Sequence, residues 1–311
     1  MSATERLDAD GELTDTEIGP AVPAGTAIDA GTALGTVRLT VSDLARSRSF
    51  YEHALGLRAR ELDDGSVALG PADEPALVEL IGDASAPALD RRATGLYHLA
   101  ILVPSRLDLA QALARLAEAR APLDGASDHL VSEALYLSDP DGNGIEIYQD
   151  RPRGQWSYED GRLQMATLAL DLHSLAGELR GAAAPQPSVA AGTRIGHVHL
   201  QVADVGEAEA FYHGVLGFDV TVRGYPGALF VSAGGYHHHI GLNTWQSAGS
   251  SRPAAGSIGL RSFEVVLPNA VEFERVLARI DAAGLTAEPA LSGAGPVVRD
   301  PSGNAVLLHS R

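Results

Sequence analysis

The strongest constraint on this 311-residue chain is that it repeats itself. Asp43, Phe50, Tyr51 and Gly56 recur as Asp204, Phe211, Tyr212 and Gly217. Asp139, Pro140, Gly142 and Asn143 recur as Asp300, Pro301, Gly303 and Asn304, and every pair is 161 positions apart. A constant offset between separate motifs means that the segments joining them are also equal in length, so both halves trace one fold. Each half also repeats within itself. Thr36 to Val41 reads as a strand, followed by a helix capped by Ser42 or Asp43 and stopped at Gly56, then short strands ending with Ala76 to Ile81. A second unit follows, with a strand from Leu96 to Val103, a helix from about Arg106 to Ala119 and two further strands. The spacing predicts an α+β protein of four modules, beginning near Gly35, Gly95, Arg194 and Ile258.

The domain limits follow from composition. Residues 1–33 are rich in Ala, Gly, Thr, Asp and Glu without an apolar period and read as a flexible arm. Residues 34–150 hold modules one and two, and residues 193–311 hold modules three and four. Between them, residues 151–192 contain a polar and aromatic piece around Trp156, an apolar piece from Leu163 to Leu179 and a Pro/Ala/Gly loop from Gly181; this composition suits a linker rather than a core element.

The most informative stretch runs from Asp128 to Glu146. Leu135 to Leu137 and Ile145 to Tyr148 are strands around the tight turn from Asp139 to Gly144, so Tyr136 and Glu146 become cross-strand neighbours. Comparing the copies shows that the polar groups are one-sided. Glu146 corresponds to Leu307, Tyr136 to Val297, His197 to Thr36, and His98 to roughly Ser262. Modules two and three therefore carry ligand-type residues where modules one and four do not. Because the chain has no cysteine and 11 histidines, His, Asp and Glu are the available metal ligands. Two His and one carboxylate on three strands form the facial set that holds an open-sided Fe(II), with Mn(II) the nearest substitute. His98, Glu146 and His197 are the candidate metal ligands.

The run Tyr236, His237, His238, His239 adds imidazoles beside this set. Side chains alternate along a strand, so His237 and His239 are expected on one face and His238 on the other. His199 lies two residues from His197 and on its face; it and His237 are expected to surround the ligands. His53, His173, His213 and His309 have no partner pattern and read as surface residues.

Charge and hydropathy exclude several classes. A formal charge of −17 and a pI near 4.9 leave no basic face for nucleic acid. No apolar run is long enough to cross a bilayer and the N-terminal stretch is no basic, apolar signal, so a cytoplasmic protein without membrane partners is expected.

These residues resemble the vicinal oxygen chelate superfamily, whose βαβββ modules pair into cup-like sheets around a metal ion, the glyoxalase/bleomycin resistance/extradiol dioxygenase fold. More narrowly, His129, Leu135, Tyr136, Asp139, Pro140, Gly142 and Glu146 are similar to the signature of type I extradiol dioxygenases. With GLYHLAIL from Gly95, GHVHLQV from Gly196 and SAGGYHHHIGLNTW from Ser232, the resemblance covers about Gly35 to His309. It implies cleavage of a catechol, a small aromatic diol, by molecular oxygen on Fe(II), with Mn(II) as the other option, in aromatic compound degradation. It also implies His98, Glu146 and His197 as ligands, His239 as the acid and base beside oxygen, and Tyr136 and His129 as contacts to the substrate hydroxyl and oxygen. A homo-oligomer is compatible with it. In the large extradiol enzymes the ligands come from modules three and four; here they come from two and three, which requires those two modules to share a cup. Two other readings stand beside it: a glyoxalase-type metal isomerase or lyase, and a non-enzymatic binding or resistance protein.

Overall fold

The computed structural model describes residues 27–159, 162–181, 186–223, 225–289 and 295–311. Each module runs strand, helix, strand, strand, strand, with its last strand parallel to its first. The helices begin where the side chain of Asp43, Ser105, Asp204 or Asn269 accepts the backbone N–H three residues on, which satisfies one of the free donors of the first turn.

Two curled sheets result, and they do not follow chain order. The strand Gly95–Leu102 of module two pairs antiparallel with Arg194–Gln201 of module three at the centre of a nine-stranded sheet. Ala33–Val41 of module one pairs in the same way with Gly259–Leu267 of module four in an eight-stranded sheet. Modules two and three thus form one cup, and modules one and four the other. One apolar cluster spans both sheets and contains Leu39, Leu99, Val198 and Phe263, one from each central strand and all fully buried. Side-chain alternation then turns the opposite face of each central strand into its cup.

The repeated turns tie the cups to each other. Gly142 and Gly303 close them at φ of 91° and 92°, a conformation open to glycine at little cost. Asp139 accepts from the backbone N–H groups of Asp141 and Asn143, from the Asn143 side chain and from the Tyr51 hydroxyl. Asp300 accepts from Asn304 N–H, the Asn304 side chain and Tyr212. A module-one helix is therefore bonded to the module-two hairpin, and a module-three helix to the module-four hairpin. The recurring Tyr and Asp of the sequence are two ends of one contact.

The segments read as arm and linker are more ordered than composition suggests. Residues 1–26 of the arm and 182–185 of the loop lie outside the described residues. Residues 27–33, however, are docked: Ile28 is buried, its N–H donates to Gly217 O, and Asp29 N–H donates to Glu272. In the connecting segment Trp156, Leu163, Ala166, Leu170 and Leu175 are buried, and Leu168–Ala169 adds a strand to the nine-stranded sheet. Its apolar residues are used against a distant part of the chain, which local composition does not reveal. Among the described residues no helix is long and apolar enough to cross a membrane.

Candidate metal centre

Register builds the centre. Glu146, Ala100 and His197 lie side by side on three adjacent strands, because Glu146 is the parallel partner of Ala100 and Ala100 the antiparallel partner of His197. The small side chain at Ala100 leaves a gap in that row. His98 lies two residues earlier on the same face and completes the set, while on the outer side Glu146 pairs with Tyr136 as its spacing predicts.

His98, Glu146 and His197 are all buried, and one ligand atom from each lies within 4.8 Å of the others. Glu146 Oε2 is 3.0 Å from His197 Nε2 and 3.1 Å from His98 Nε2. The His98 contact is not aligned as a hydrogen bond, and its buried Nε2 has no partner among the described residues. His197 Nε2 is hydrogen-bonded to Glu146 Oε2, and spacings of about 3 Å between each imidazole nitrogen and the carboxylate oxygen are those of adjacent ligands about 2.1 Å from a six-coordinate ion. Burial pushes His197 down to about 4, outweighing the pull of Glu146, so the imidazole is neutral at pH 7. Burial opposes the charge on Glu146, but the facing His197 and His98 hold it well below the usual carboxylate range. Neutral imidazoles and an ionised carboxylate are the protonation states in which a metal ion is bound. The residues fit a divalent ion with open positions.

The other expected residues divide. His129 Nε2 is 2.7 Å from the Tyr136 hydroxyl, and the Tyr136 ring lies 5.7 Å from that of His98. His129 Nδ1 is 2.8 Å from the carbonyl of Ala166, in the connecting segment, so Nδ1 donates and a neutral His129 accepts from Tyr136. His199 is buried directly across from His98, with ring centroids 5.0 Å apart; burial first, then His98 and His197, push it well below its usual value. Its ring lies against Gly241, where a β-carbon would stand 2.9 Å from His199 Cγ.

His239 is displaced from its expected place. Its Nδ1 accepts the backbone N–H of Ala233 at 3.1 Å, its ring packs beside Tyr236 and Phe218, and burial pushes it down to about 3. The imidazole that reaches the ligands is His238, whose ring centroid is 4.1 Å from that of His197 and 5.0 Å from Phe230. The alternation rule fails because the histidine run precedes the strand Ile240–Asn243 and follows two left-handed glycines, Gly234 and Gly235. His237 pairs with His238 instead of with His239, Nδ1 to Nδ1 at 2.8 Å. His53, His173 and His309 are exposed, and His213 is half-buried with Nδ1 on Phe218 O.

Aromatic residues that sequence patterning did not single out complete the wall. Tyr97, Trp245 and Phe230 lie 5.1, 5.4 and 5.6 Å from the His199 ring, and Trp245 is half exposed at the rim. The adjacency of Tyr97 to His98 was the available signal; Trp245 and Phe230 reach the site only through tertiary pairing.

Residues 33–147 and 194–308 match the glyoxalase/bleomycin resistance protein/dioxygenase superfamily, one match per half. The chain is 45% identical over 270 residues to a catechol-2,3-dioxygenase of Bacillus subtilis (strain 168), covering 85% of this chain and 92% of the relative. In fold it is similar to a putative dioxygenase of Bacillus subtilis, with a TM-score of 0.62 at 15% identity, covering 91% of this chain and 86% of the other. It is also similar to glyoxalase I of Zea mays, with a TM-score of 0.54 at 16% identity over 89% and 92% of the two chains. Four modules in two cups, with a buried His/Glu/His set in one of them, agree with these matches: the chain belongs to the glyoxalase/bleomycin resistance protein/dioxygenase superfamily.

Proposed function

We propose that this protein is an extradiol dioxygenase that opens the ring of a catechol with molecular oxygen, using Fe(II), with Mn(II) the nearest substitute. The observation that carries the reading is one cup in which three ligand residues are flanked by His238 on one side and the His129–Tyr136 pair on the other. The name of the 45% identical relative supports it. Held by His98, Glu146 and His197, the ion would supply Lewis-acid chemistry toward two adjacent hydroxyls and the redox chemistry that oxygen requires.

The chain's own residues handle protons and shape. His238, which burial keeps neutral, accepts the proton released by a substrate hydroxyl. Tyr136, its hydroxyl proton directed to His129, offers oxygen lone pairs to the other hydroxyl. Tyr97, Phe230, Trp245 and His199 enclose the ring and limit water. In the balanced reaction the carbon–carbon bond beside the diol breaks and both atoms of O2 enter the product.

The test is anaerobic reconstitution with Fe(II), then addition of catechol and oxygen. Oxygen uptake with a yellow ring-opened product is expected. No uptake with simple and substituted catechols overturns the reading, and turnover of an oxygen-independent isomerase substrate replaces it with a glyoxalase-type reaction.

A further inference from the structure

Behind His238 lies a line of polar groups that the proposed reaction leaves unused. His237 Nδ1 is 2.8 Å from His238 Nδ1, and His237 Nε2 is 2.9 Å from Asp150 Oδ1. Asp150 also accepts from the Tyr236 hydroxyl at 2.9 and 3.2 Å, and Tyr236 shares a 2.7 Å hydrogen bond with Tyr148. His237 is 1% exposed, between the rings of Tyr236 and Trp156, whereas the Asp150 side chain is 23% exposed. The line thus runs from the metal cup to the end of the strand Gly144–Asp150, where the Asp150 side chain meets solvent.

With Asp150 ionised and His237 a neutral ring, hydrogen-bond chemistry sets its direction, whereas a His237 imidazolium would donate from Nδ1 and reverse it. An ionised carboxylate only accepts, so His237 Nε2 carries a proton. In a neutral ring His237 Nδ1 is then a lone pair. Two Nδ1 atoms at 2.8 Å share one proton, so it belongs to His238 Nδ1. A neutral His238 with a proton on Nδ1 has its lone pair on Nε2, the remaining nitrogen of a ring that lies tilted against a candidate metal ligand, His197. In the opposite tautomer Nε2 carries hydrogen and cannot take a proton. Asp150 belongs to the one-sided set as well, since its counterpart in module four is Arg311.

We propose that Asp150 and His237 are positioning residues that hold His238 as the Nδ1–H tautomer and so keep Nε2 available as the base. The inference rests on the reading of His238 as proton acceptor. It orders Asp150, His237 and His238 by dependence: His238 meets the substrate, His237 sets its tautomer, and Asp150 sets that of His237.

The test begins with the unaltered chain. Protein with 15N-labelled histidine and diamagnetic Zn(II) in the site is read by two-bond 1H–15N correlation, with His238 assigned by its loss in His238→Phe. The expected pattern is Nδ1–H at His238, and Nε2–H overturns the proposal. Asp150→Ala and His237→Phe are expected to shift His238 toward a mixture of tautomers. In the Fe(II) enzyme each lowers kcat about 10–100-fold, the range for groups that orient a reactive ligand, with KM and metal content unchanged. Unchanged kcat in both variants overturns the positioning role while leaving the dioxygenase reading intact. If no catechol is turned over, the dioxygenase reading fails, and the tautomer of His238 still decides the proposal.

Discussion

The two cups share one frame and hold different contents. In the cup of modules two and three, His98 stands opposite His199; in the cup of modules one and four, Ser262 stands opposite Arg38 at the same register. Glu146 is replaced by Leu307 and His197 by Thr36. Gly241, which gives the His199 ring its seat, corresponds to Glu79 beside Arg38. Arg38 is bonded to Glu79 at 3.0 Å and to Glu264 at 2.9 Å, and Glu264 also accepts the N–H of Thr36. Both cups keep buried nitrogens that make no hydrogen bond among the described residues, Arg38 Nη1 in one and His98 Nε2, His197 Nδ1 and His199 Nε2 in the other. Only the second gathers two imidazoles and a carboxylate within ligand distance of one another. Buried polar atoms left unsatisfied cost about 1–3 kcal/mol each; a guanidinium cannot ligate a cation, whereas imidazole nitrogens beside a carboxylate can.

The largest effects are expected at the ligands. His98→Ala, Glu146→Ala and His197→Ala should each lose the metal and all activity, whereas Thr36→Ala and Leu307→Ala at the matching sites should keep both; metal content and oxygen uptake measure this. Next come the neighbouring histidines. His238→Phe should keep the metal and lower kcat about 10²–10⁴-fold, the contribution of a general base. His239→Phe should change kcat little, and the reverse order would restore His239 as the acid-base group.

Smaller effects test the shared frame. Asp139→Asn and Asp300→Asn each set an amide N–H against donors that now meet a carboxylate oxygen, and each should cost about 1–3 kcal/mol in denaturant unfolding. A cost in one half alone would break the equivalence. Last, Gly241→Ala pushes on the His199 ring and should raise KM about tenfold, the equivalent of 1.4 kcal/mol, with the metal retained.

Much of this was legible in the sequence because duplication supplies an internal comparison. Glu146 against Leu307 and His197 against Thr36 stand out, and the DPDGN turn sets the register of Tyr136 with Glu146. The caps at Asp43 and Asp204 follow from local hydrogen bonding. The rest was hidden for two physical reasons. His238 depends on an irregular backbone around Gly234 and Gly235, where the period of two does not apply. Trp156, Ala166, Trp245 and Phe230 gain their roles only from contacts distant in sequence. Asp150 against Arg311 was readable by the same comparison that found Glu146, but an acidic residue at a strand end carries no metal-ligand signal of its own.

The most direct measurement is an anomalous difference map, at the iron edge, of crystals grown from Fe(II)-loaded protein. The account predicts one peak per chain, bounded by His98 Nε2, Glu146 and His197 Nε2, and none beside Arg38. A peak in the cup of modules one and four, or a peak ligated without Glu146, would contradict it.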